Sequence, residues 1–393
     1  MMQPYLLAGA RTPIGKFLGA FRNVSAPELG AVVIREALRR ADIQPDQVDE
    51  VIMGNVISAG IGQAPARQAA LKAGLPPAVP AMTVNKVCGS SLKAVMLASQ
   101  AIRAGDARIV VAGGMENMSQ APHLARKSRI GWKLGDVTLE DSLLRDGLWC
   151  SFEDCHMGNH AEHTAREHDL SRDDLDRYAV QSQTRAARAM ADGLFDGEIV
   201  PVPVIEKRKE TLVRVDEGPR PETDMNALAR LRPVFEETGC VTAGNSSILS
   251  DGAAAVIVAD RETADASPSP WRARIVASFT SGTEPRDLFV APVAAIDGAL
   301  DKAGLTRDDI DLYEINEAFA SQMLACIGQL KLDPDKVNVA GGAISLGHPI
   351  GASGARVLVT LLSLLHQRNL RRGLATLCLG GGNAVAMIVD REI

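Results

Sequence analysis

The amino-acid sequence predicts an α/β protein built from two duplicated, layered halves with a further segment inserted between them. Three stretches near the start of the chain return near its end in the same order. They are residues 37–53 with 299–315, 88–102 with 351–365, and 108–114 with 375–381. The first pair is typical of a helix end, a turn and a strand. The second is typical of a helix after a glycine-rich turn, and the third of an apolar strand that ends on glycines. This alternation is typical of layered α/β folds with a mostly parallel sheet, and we expect the halves to pack with helices between them.

The segment between the repeats differs in character, because it is rich in charge and in surface helix. A helix is predicted to begin after Ser171 and to end near Gly193. Residues 200–205 and 211–215 predict short edge strands, and 247–260 predict a turn, a helix and a strand that complete the first half. The predicted units are a first half at 1–118 plus 250–269, a loop or lid domain at 119–249, and a second half at 270–393.

Composition restricts the class of protein. Of the 393 residues, 46% are apolar, 23% charged and only 4% aromatic, which is typical of a globular protein. The net charge of −6 argues against a nucleic-acid partner. No export signal and no apolar run long enough for a membrane span is evident, so we expect a cytoplasmic protein without membrane contact. Its six cysteines are then expected to be free thiols.

Cys88 lies at the step from an apolar approach into a predicted helix. Its counterpart in the second half is Gly351, so the duplicated scaffold requires only a small residue at this place. At a helix N-terminus the unpaired amides and the macrodipole lower a thiol pKa, which favours a nucleophile. The alternative is a cysteine that merely packs as a small hydrophobe.

Three further residues are candidates for chemistry. His348 lies in the glycine-rich loop of the second half, and the repeat places it opposite Cys88, where it could accept the thiol proton; the alternative is a structural histidine. Cys378 is either a packing residue or a reactive thiol beside Gly380, whose amide could face an oxyanion. Asn316 could orient water or simply cap the next helix.

Four motifs carry a resemblance to a known family. NKVCGSS, NEAFA, GHPIGASGA and CLGGG, in this order and at these separations, resemble the thiolases of the acetyl-CoA acetyltransferase type, whose fold has αβαβα layers. The resemblance implies that Cys88 carries the acyl group and that His348 activates it. It also implies that Cys378 exchanges the α-carbon proton, and that Asn316 and His348 stabilise one oxyanion through a water. The amides of Cys88 and Gly380 would stabilise the other.

The resemblance also implies the substrates and the assembly. Acyl-coenzyme A thioesters would be the substrates, and acetoacetyl-CoA is the first expectation among them. The resemblance implies no separate cofactor and no metal. It implies a homotetramer formed as a dimer of dimers. The residues implied in binding coenzyme A or shaping the acyl pocket are His156, Met157, Arg220, Phe235, Ser247, Leu148 and Phe319. The chain departs from the usual motifs at Ser91, Ala227, Ser246, Ile248 and Ser250.

Several alternatives remain open. The enzyme could be a 3-ketoacyl-CoA thiolase with a longer-chain preference, or a decarboxylating condensing enzyme of the ketoacyl synthase type, which would need no second cysteine. A non-catalytic acyl-CoA binder would lack the acyl adduct on Cys88. The loop before 351–365 lacks the glycine spacing of a dinucleotide site. A metal site is the last alternative, formed from Cys150, Cys155, His156, His160 and His163.

Overall fold

The computed structural model describes residues 2–393. The chain begins with the strands and helices that open the first half. The strands are β1 (Tyr5–Arg11), β2 (Gly15–Lys16), β3 (Glu50–Gly54), β4 (Ala81–Val84) and β5 (Ile109–Asn117). The helices are α1 (Ala26–Ala41), α2 (Pro65–Lys72) and α3 (Ser90–Ala104).

The inserted segment combines short strands with surface helices. Its strands are β6 (His123–Leu124), β7 (Glu140–Asp141), β8 (Trp149–Cys150), β9 (Cys155–His156), β10 (Val202–Glu206) and β11 (Lys209–Val213). Its helices are α4 (Met157–Glu167), α5 (Arg172–Ala191) and α6 (Met225–Ala229), with a π-helical turn at Leu143–Leu148.

The chain then returns to the sheet and builds the second half. The remaining strands are β12 (Ser250–Ala259), β13 (Ala273–Gly282), β14 (Leu312–Ile315), β15 (Arg372–Leu379) and β16 (Asn383–Asp390). The remaining helices are α7 (Arg261–Ala266), α8 (Ala291–Ala303), α9 (Ala320–Leu330), α10 (Ala343–Leu346) and α11 (Ser353–Gln367).

The strand order confirms the duplication that the sequence predicts. The ten-stranded sheet runs β14–β15–β16–β13–β1–β12–β5–β3–β4, with β2 paired to β12. Read outward from the centre, β13–β16–β15–β14 repeats the order β1–β12–β5–β3 with corresponding elements. The halves join where β1 pairs antiparallel with β13, Tyr5 lying opposite Arg274.

The expectation of a mostly parallel sheet is wrong. Within the part of the chain that the structure describes, the only parallel strand pairs are β3 with β4, β3 with β5, and β14 with β15. Parallel neighbours need a crossover connection, but β15 reaches β16 through a tight turn, and β5 reaches β12 only after the whole inserted segment. The result is a mixed sheet.

The helix predicted within 247–260 is also wrong. Residues Ser250–Ala259 form one strand, buried along its whole length, which pairs with β1 on one side and β5 on the other. Alanine favours helices in isolation, but tertiary pairing overrides so weak a preference. Its small side chains let α1 and α11 pack against this strand.

Two helices, α3 and α11, pack against each other between the sheet portions of the two halves, as expected. The backbone N–H of Ala355 donates to Ser91 Oγ at 2.8 Å. A Cβ at Gly354 would lie 2.4 Å from the Leu92 nitrogen, so only glycine permits this approach. Because α1 and α2 cover the outer side of the first half and α8 that of the second, the layers alternate helix and sheet.

The inserted segment is tied to the first half by buried charge. Arg11 is fully buried and pairs with Glu198 at 2.5 Å and with Asp216 at 2.7 Å. The predicted surface helix is present as α5: Ser171 Oγ accepts from the backbone N–H of Asp174. Residues 202–206 and 209–213 form a separate two-stranded ribbon. The three domain boundaries given above remain predictions.

None of the helices in residues 2–393 combines the length and the apolar character needed to cross a membrane.

Candidate active site

Cys88 lies in the tight turn between β4 and α3. Val87, immediately before it, has a φ of +47°, a left-handed conformation that is unusual for a β-branched residue. Ser90 holds the turn, because its Oγ donates to the Val87 carbonyl at 2.6 Å and accepts from the Lys86 N–H at 2.8 Å. The turn presents the Cys88 thiol to a cavity between the halves and the inserted segment.

That cavity has a volume of about 300 Å³ and an almost entirely apolar lining. Ten of the twelve residues predicted to form the site line it: Cys88, His348, Cys378, Gly380, Leu148, His156, Met157, Phe235, Ser247 and Phe319. Residues far apart in sequence therefore meet at one place. Asn316 and Arg220 are the two that lie elsewhere.

Burial raises the pKa of Cys88 to about 12, so the expected lowering of this pKa is wrong. The backbone N–H groups of Gly380 and of Cys88 itself interact with the sulfur and oppose the shift, but they do not reverse it. A helix terminus contributes about 1 kcal/mol to an ionised group, and the loss of hydration around this half-buried thiol outweighs it. Without a substrate, the thiol is therefore protonated and needs a base.

His348 is arranged to be that base. The hydroxyl of Ser353 donates its one proton to the Pro349 carbonyl at 2.9 Å, so its oxygen accepts from His348 Nδ1–H at 2.6 Å. Nε2 then keeps its lone pair. Burial, with a smaller contribution from the charge of Arg356, lowers the pKa of His348 to about 3. The imidazole is therefore neutral at neutral pH and able to accept a proton.

The Asn316 side chain lies beside His348 Nε2 and has no access to solvent. Its Nδ2 is 3.5 Å from His348 Nε2, and its Oδ1 has no hydrogen-bond partner among residues 2–393. Because the next helix begins only at Ala320, with Phe319 as its cap, the alternative that Asn316 caps that helix is wrong. A buried acceptor without a partner is a place where an ordered water would fit.

Cys378 approaches the same cavity from β15. It is 1% exposed, and burial raises its pKa well above the usual value, with the neighbouring Cys88 adding to the shift. The strand then turns through Gly381 and Gly382, whose φ values of +83° and +80° favour glycine. This turn leaves the Gly380 N–H directed at the Cys88 sulfur.

Aromatic rings close the far wall of the cavity. Phe235 stacks on His156 with ring centroids 4.7 Å apart and meets Phe319 edge-on at 6.2 Å. A Cβ at Gly158 would lie 2.3 Å from the Phe235 ring, so glycine is required beneath it. The edge contact between Phe235 and Phe319 joins the inserted segment to the second half across the cavity.

Arg220 lies in a groove beside the cavity and not in its lining. The groove and the cavity share four residues, Ala243, Ser246, Ser247 and Leu249, so they are continuous. The backbone N–H of Arg220 donates to Gln183 Oε1 at 2.7 Å, which fixes this stretch of chain against α5.

The histidines and cysteines of the alternative metal site make contacts that do not converge on one point. His156 stacks on Phe235, His160 Nε2 lies 3.6 Å from Cys155 Sγ, and His163 Nε2 lies 3.2 Å from Asp287 Oδ1. Within residues 2–393, no group of three histidine, cysteine or acidic side chains is placed to hold a metal ion.

Sequence reasoning missed two residues that hold the loop of His348. One is Ser353, five positions after the histidine, which fixes its tautomer. The other is Glu116, whose Oε2 accepts from the backbone N–H groups of Val56 at 3.1 Å and Gly351 at 2.9 Å. The sequence signal for Glu116 was an acidic residue near the end of an apolar strand, which the structure shows to be wholly buried. No sequence signal pointed to Ser353.

The fold and the site together define a class of protein: an enzyme of two duplicated α/β halves that brings two thiols and an imidazole to one apolar cavity. Residues 5–262 match the family description "Thiolase, N-terminal domain", and residues 269–391 match "Thiolase, C-terminal domain". The chain belongs to the thiolase family and is an acyltransferase.

Individual relatives agree with this assignment. The chain is 50% identical to an acetyl-CoA acetyltransferase from Cupriavidus necator over 393 residues, which is 100% of both chains. A crystal structure of a Bacillus anthracis acetyl-CoA acetyltransferase superimposes with a TM-score of 0.97 at 39% identity, covering 99% of each chain. Human mitochondrial 3-ketoacyl-CoA thiolase superimposes with a TM-score of 0.96 at 41% identity, covering 100% of this chain and 99% of that one.

Proposed function

We propose that the protein is an acetyl-CoA C-acetyltransferase. It would catalyse the reversible condensation of two acetyl-CoA molecules to acetoacetyl-CoA and coenzyme A, through an acyl group carried on Cys88. The observation that carries the proposal is the convergence of Cys88, Cys378 and His348 on one apolar cavity. Relatives named acetyl-CoA acetyltransferase at 50% identity over the full length support the choice of substrate.

In the first half-reaction, His348 Nε2 takes the proton of Cys88 as the sulfur attacks the thioester carbonyl. The amides of Cys88 and Gly380 face the sulfur and stabilise the oxyanion; one such donor is worth about 3–4 kcal/mol in the barrier. The intermediate collapses and the leaving coenzyme A thiolate takes the proton of the Cys378 thiol, so that Cys378 becomes a thiolate while His348 still holds the proton of Cys88. The products are acetyl-Cys88 and free coenzyme A.

In the second half-reaction, the thiolate of Cys378 removes a proton from the α-carbon of a second acetyl-CoA. A thiolate whose pKa is raised by burial is a stronger base, as a weakly acidic carbon requires. A water on Asn316 and the protonated imidazole of His348 donate to the enolate oxygen. The carbanion attacks the acetyl carbonyl, Cys88 leaves as a thiolate and takes the proton held on His348, and Cys378 keeps the proton from the α-carbon, so all three groups return to their starting states.

Coenzyme A would reach this cavity along the neighbouring groove that contains Arg220. The groove is more polar than the cavity and opens into it through Ser246 and Ser247, which suits a ligand with a polar carrier and a small apolar acyl end. No separate cofactor is needed for either half-reaction. All six cysteines are free thiols, which supports a cytoplasmic location.

The assembly we propose is a homotetramer formed as a dimer of dimers. Among residues 2–393, the edge strand β4 pairs only with β3, which leaves its other edge open to a second copy. Exposed apolar side chains cluster in the inserted segment at Ile130, Trp132 and Leu134. Light scattering on a size-exclusion column should give four times the chain mass of 41.7 kDa; a monomer mass would contradict the proposal.

The alternative function is that of a decarboxylating condensing enzyme, which makes the carbanion by decarboxylation and needs no second thiol. The role of Cys378 therefore distinguishes the two functions. With acetyl-CoA, Cys378→Ser should still gain one acetyl group on Cys88, visible by intact mass, while condensation falls by at least on the order of a hundredfold. Cys88→Ser is the matched control and should show no stable adduct under the same conditions. Condensation by Cys378→Ser near the wild-type rate would rule out Cys378 as the base.

A further inference from the structure

Two cysteines close to the cavity wall take no part in the proposed reaction. Cys150 ends β8 and Cys155 begins β9, and both are free thiols. The two strands form an antiparallel ribbon in which Cys150 and Cys155 are direct cross-strand partners.

The ribbon holds the two residues at the separation that a disulfide needs. Directly opposite residues in an antiparallel ladder have Cα atoms about 4.5 or 5.5 Å apart, depending on the type of pair, and their side chains lie on one face. Disulfides span Cα separations of about 4.4–6.8 Å, so either type of pair qualifies. The loop between them is closed by Trp149 Nε1, which donates to Asp154 Oδ1 at 2.9 Å.

The two thiols differ in access and in surroundings. Cys150 is 2% exposed, whereas Cys155 is half-buried. His160 Nε2 lies 3.6 Å from the Cys155 sulfur, one turn into α4. Burial lowers the pKa of His160, which keeps the imidazole neutral and able to accept the thiol proton. Cys155 is therefore the thiol that a small oxidant would reach first, with a base beside it.

We propose that Cys150 and Cys155 are a reversible modification site, which a hydroperoxide oxidises to an intrachain disulfide. With hydrogen peroxide, the Cys155 sulfur loses its proton to His160 and attacks one oxygen, the O–O bond breaks, and Cys155 becomes a sulfenic acid; the leaving hydroxide takes the proton from His160 and departs as water. The Cys150 thiol then attacks that sulfur, the S–O bond breaks, and a second water leaves. A dithiol reductant restores both thiols and is itself oxidised to a disulfide.

The bond would fix part of the substrate cavity. Leu148 directly precedes β8, and His156 and Met157 follow Cys155; all three line the cavity. A covalent link between the two strands therefore joins the chain on both sides of this wall. We expect slower hydrogen–deuterium exchange of the backbone amides in residues 146–166 after oxidation, and recovery after reduction.

The test is a thiol inventory of the full-length protein after treatment with hydrogen peroxide, followed by alkylation and trypsin. Cleavage after Arg145 and Arg166 releases a fragment whose only cysteines are Cys150 and Cys155. We expect this fragment to lose two hydrogens and take up no alkylating reagent, and to take up two groups if dithiothreitol is added first. The readout is independent of acyl transfer, so it stands or falls separately from the proposed function.

Matched controls come from the same chain. The fragment 231–261, released by cleavage after Arg230 and Arg261, contains Cys240 alone, which has no cross-strand partner thiol and should remain open to alkylation. In Cys155→Ser, Cys150 should remain a free thiol after peroxide treatment. His160→Gln should slow disulfide formation by on the order of tenfold or more; an unchanged rate would overturn its role as the base. Two alkylated thiols in the 146–166 fragment after peroxide, or a sulfinic acid on Cys155 beside a free Cys150, would overturn the proposal.

Discussion

At the scale of single residues, the proposed nucleophile and base are both uncharged before substrate binds. Burial raises the pKa of Cys88 to about 12 and lowers that of His348 to about 3. An ion pair in an apolar cavity would have to overcome the cost of desolvating two charges, and the neutral pair avoids it. The proton of Cys88 is therefore expected to move only as the sulfur attacks the thioester.

A pH dependence follows from these two shifts. Because the pKa of His348 is lowered, the imidazole stays a free base well below the ordinary histidine value of about 6.5. The rate of acetylation of Cys88 by acetyl-CoA should therefore stay nearly constant between about pH 5 and 8 and fall only nearer the lowered value. Rapid-quench intact mass measurement across this range gives the rate.

The same shift affects stability, so folding must be followed in parallel. The unfolded chain binds a proton at His348 below about pH 6.5 and the folded chain does not, so this residue's contribution to stability is lost as pH falls below that value. Circular dichroism at each pH shows whether the fold persists. An acetylation rate that halves near the ordinary histidine pKa, with the fold intact, would contradict a neutral buried base.

Sequence reasoning found these residues but not their ionisation. Cys88 and His348 became candidates because the internal repeat places the loops that carry them opposite each other. Their pKa values depend on burial by segments hundreds of positions away, which no local pattern contains. The prediction for Cys88 was right that nearby backbone N–H groups lower the thiol pKa. It left out burial, which raises the pKa by more.

At the scale of elements, the start of α11 orients the imidazole of His348, the proposed base. Ser353, its first residue, accepts from His348 Nδ1–H and donates to the Pro349 carbonyl. The helix is almost wholly buried, which holds its first turn in place. Ser353 is thus a positioning residue that acts through His348.

Removing this hydroxyl should slow acetylation without weakening substrate binding. Ser353→Ala leaves Nδ1–H without its acceptor, so the imidazole can turn or change tautomer. By analogy with other residues that orient a reactive histidine, we expect the acetylation rate constant to fall by about 10–100-fold, with an unchanged KM for acetyl-CoA. Single-turnover kinetics separates the two quantities.

Ser363→Ala is the matched control for this variant. Ser363 is buried on the same helix but accepts from Gln367 Nε2 and makes no hydrogen bond to His348. Both variants lose a buried hydroxyl, at a cost of about 1–3 kcal/mol in the free energy of unfolding. Equal rate losses in the two variants would show that Ser353 contributes only to stability.

The elements also show where local patterns are sufficient. The capping residue Ser171 and the following Asp174 predicted the start of α5, because these contacts lie within one turn. The strand at Ser250–Ala259 was mistaken for a helix and strand, because its partners β1 and β5 are distant in sequence. Local contacts are readable from the sequence, whereas sheet partners are not.

At the scale of the whole molecule, the cavity exists only because three parts of the chain meet. The first half supplies Cys88, the second supplies His348 and Cys378, and the inserted segment supplies Met157 and Phe235. The internal repeat predicted that the halves would face each other. It carried no information on the inserted segment, so the neighbouring groove that contains Arg220 could not be separated from the acyl cavity by sequence.

At this scale we also expect the cavity to limit acyl chain length. Met157 and Phe319 lie in its wall, and Phe319 is held edge-on by Phe235 at 6.2 Å and Phe289 at 5.2 Å. In thiolysis of four-, six- and eight-carbon 3-ketoacyl-CoA substrates, kcat/KM should fall by on the order of tenfold or more for each added pair of methylenes.

Met157→Ala should relieve this fall, because it shortens a wall side chain. Met190→Ala, a half-buried methionine on α5 outside the cavity lining, should leave it unchanged. Equal kcat/KM for all three substrates in the wild type would show that Met157 and Phe319 do not close the pocket.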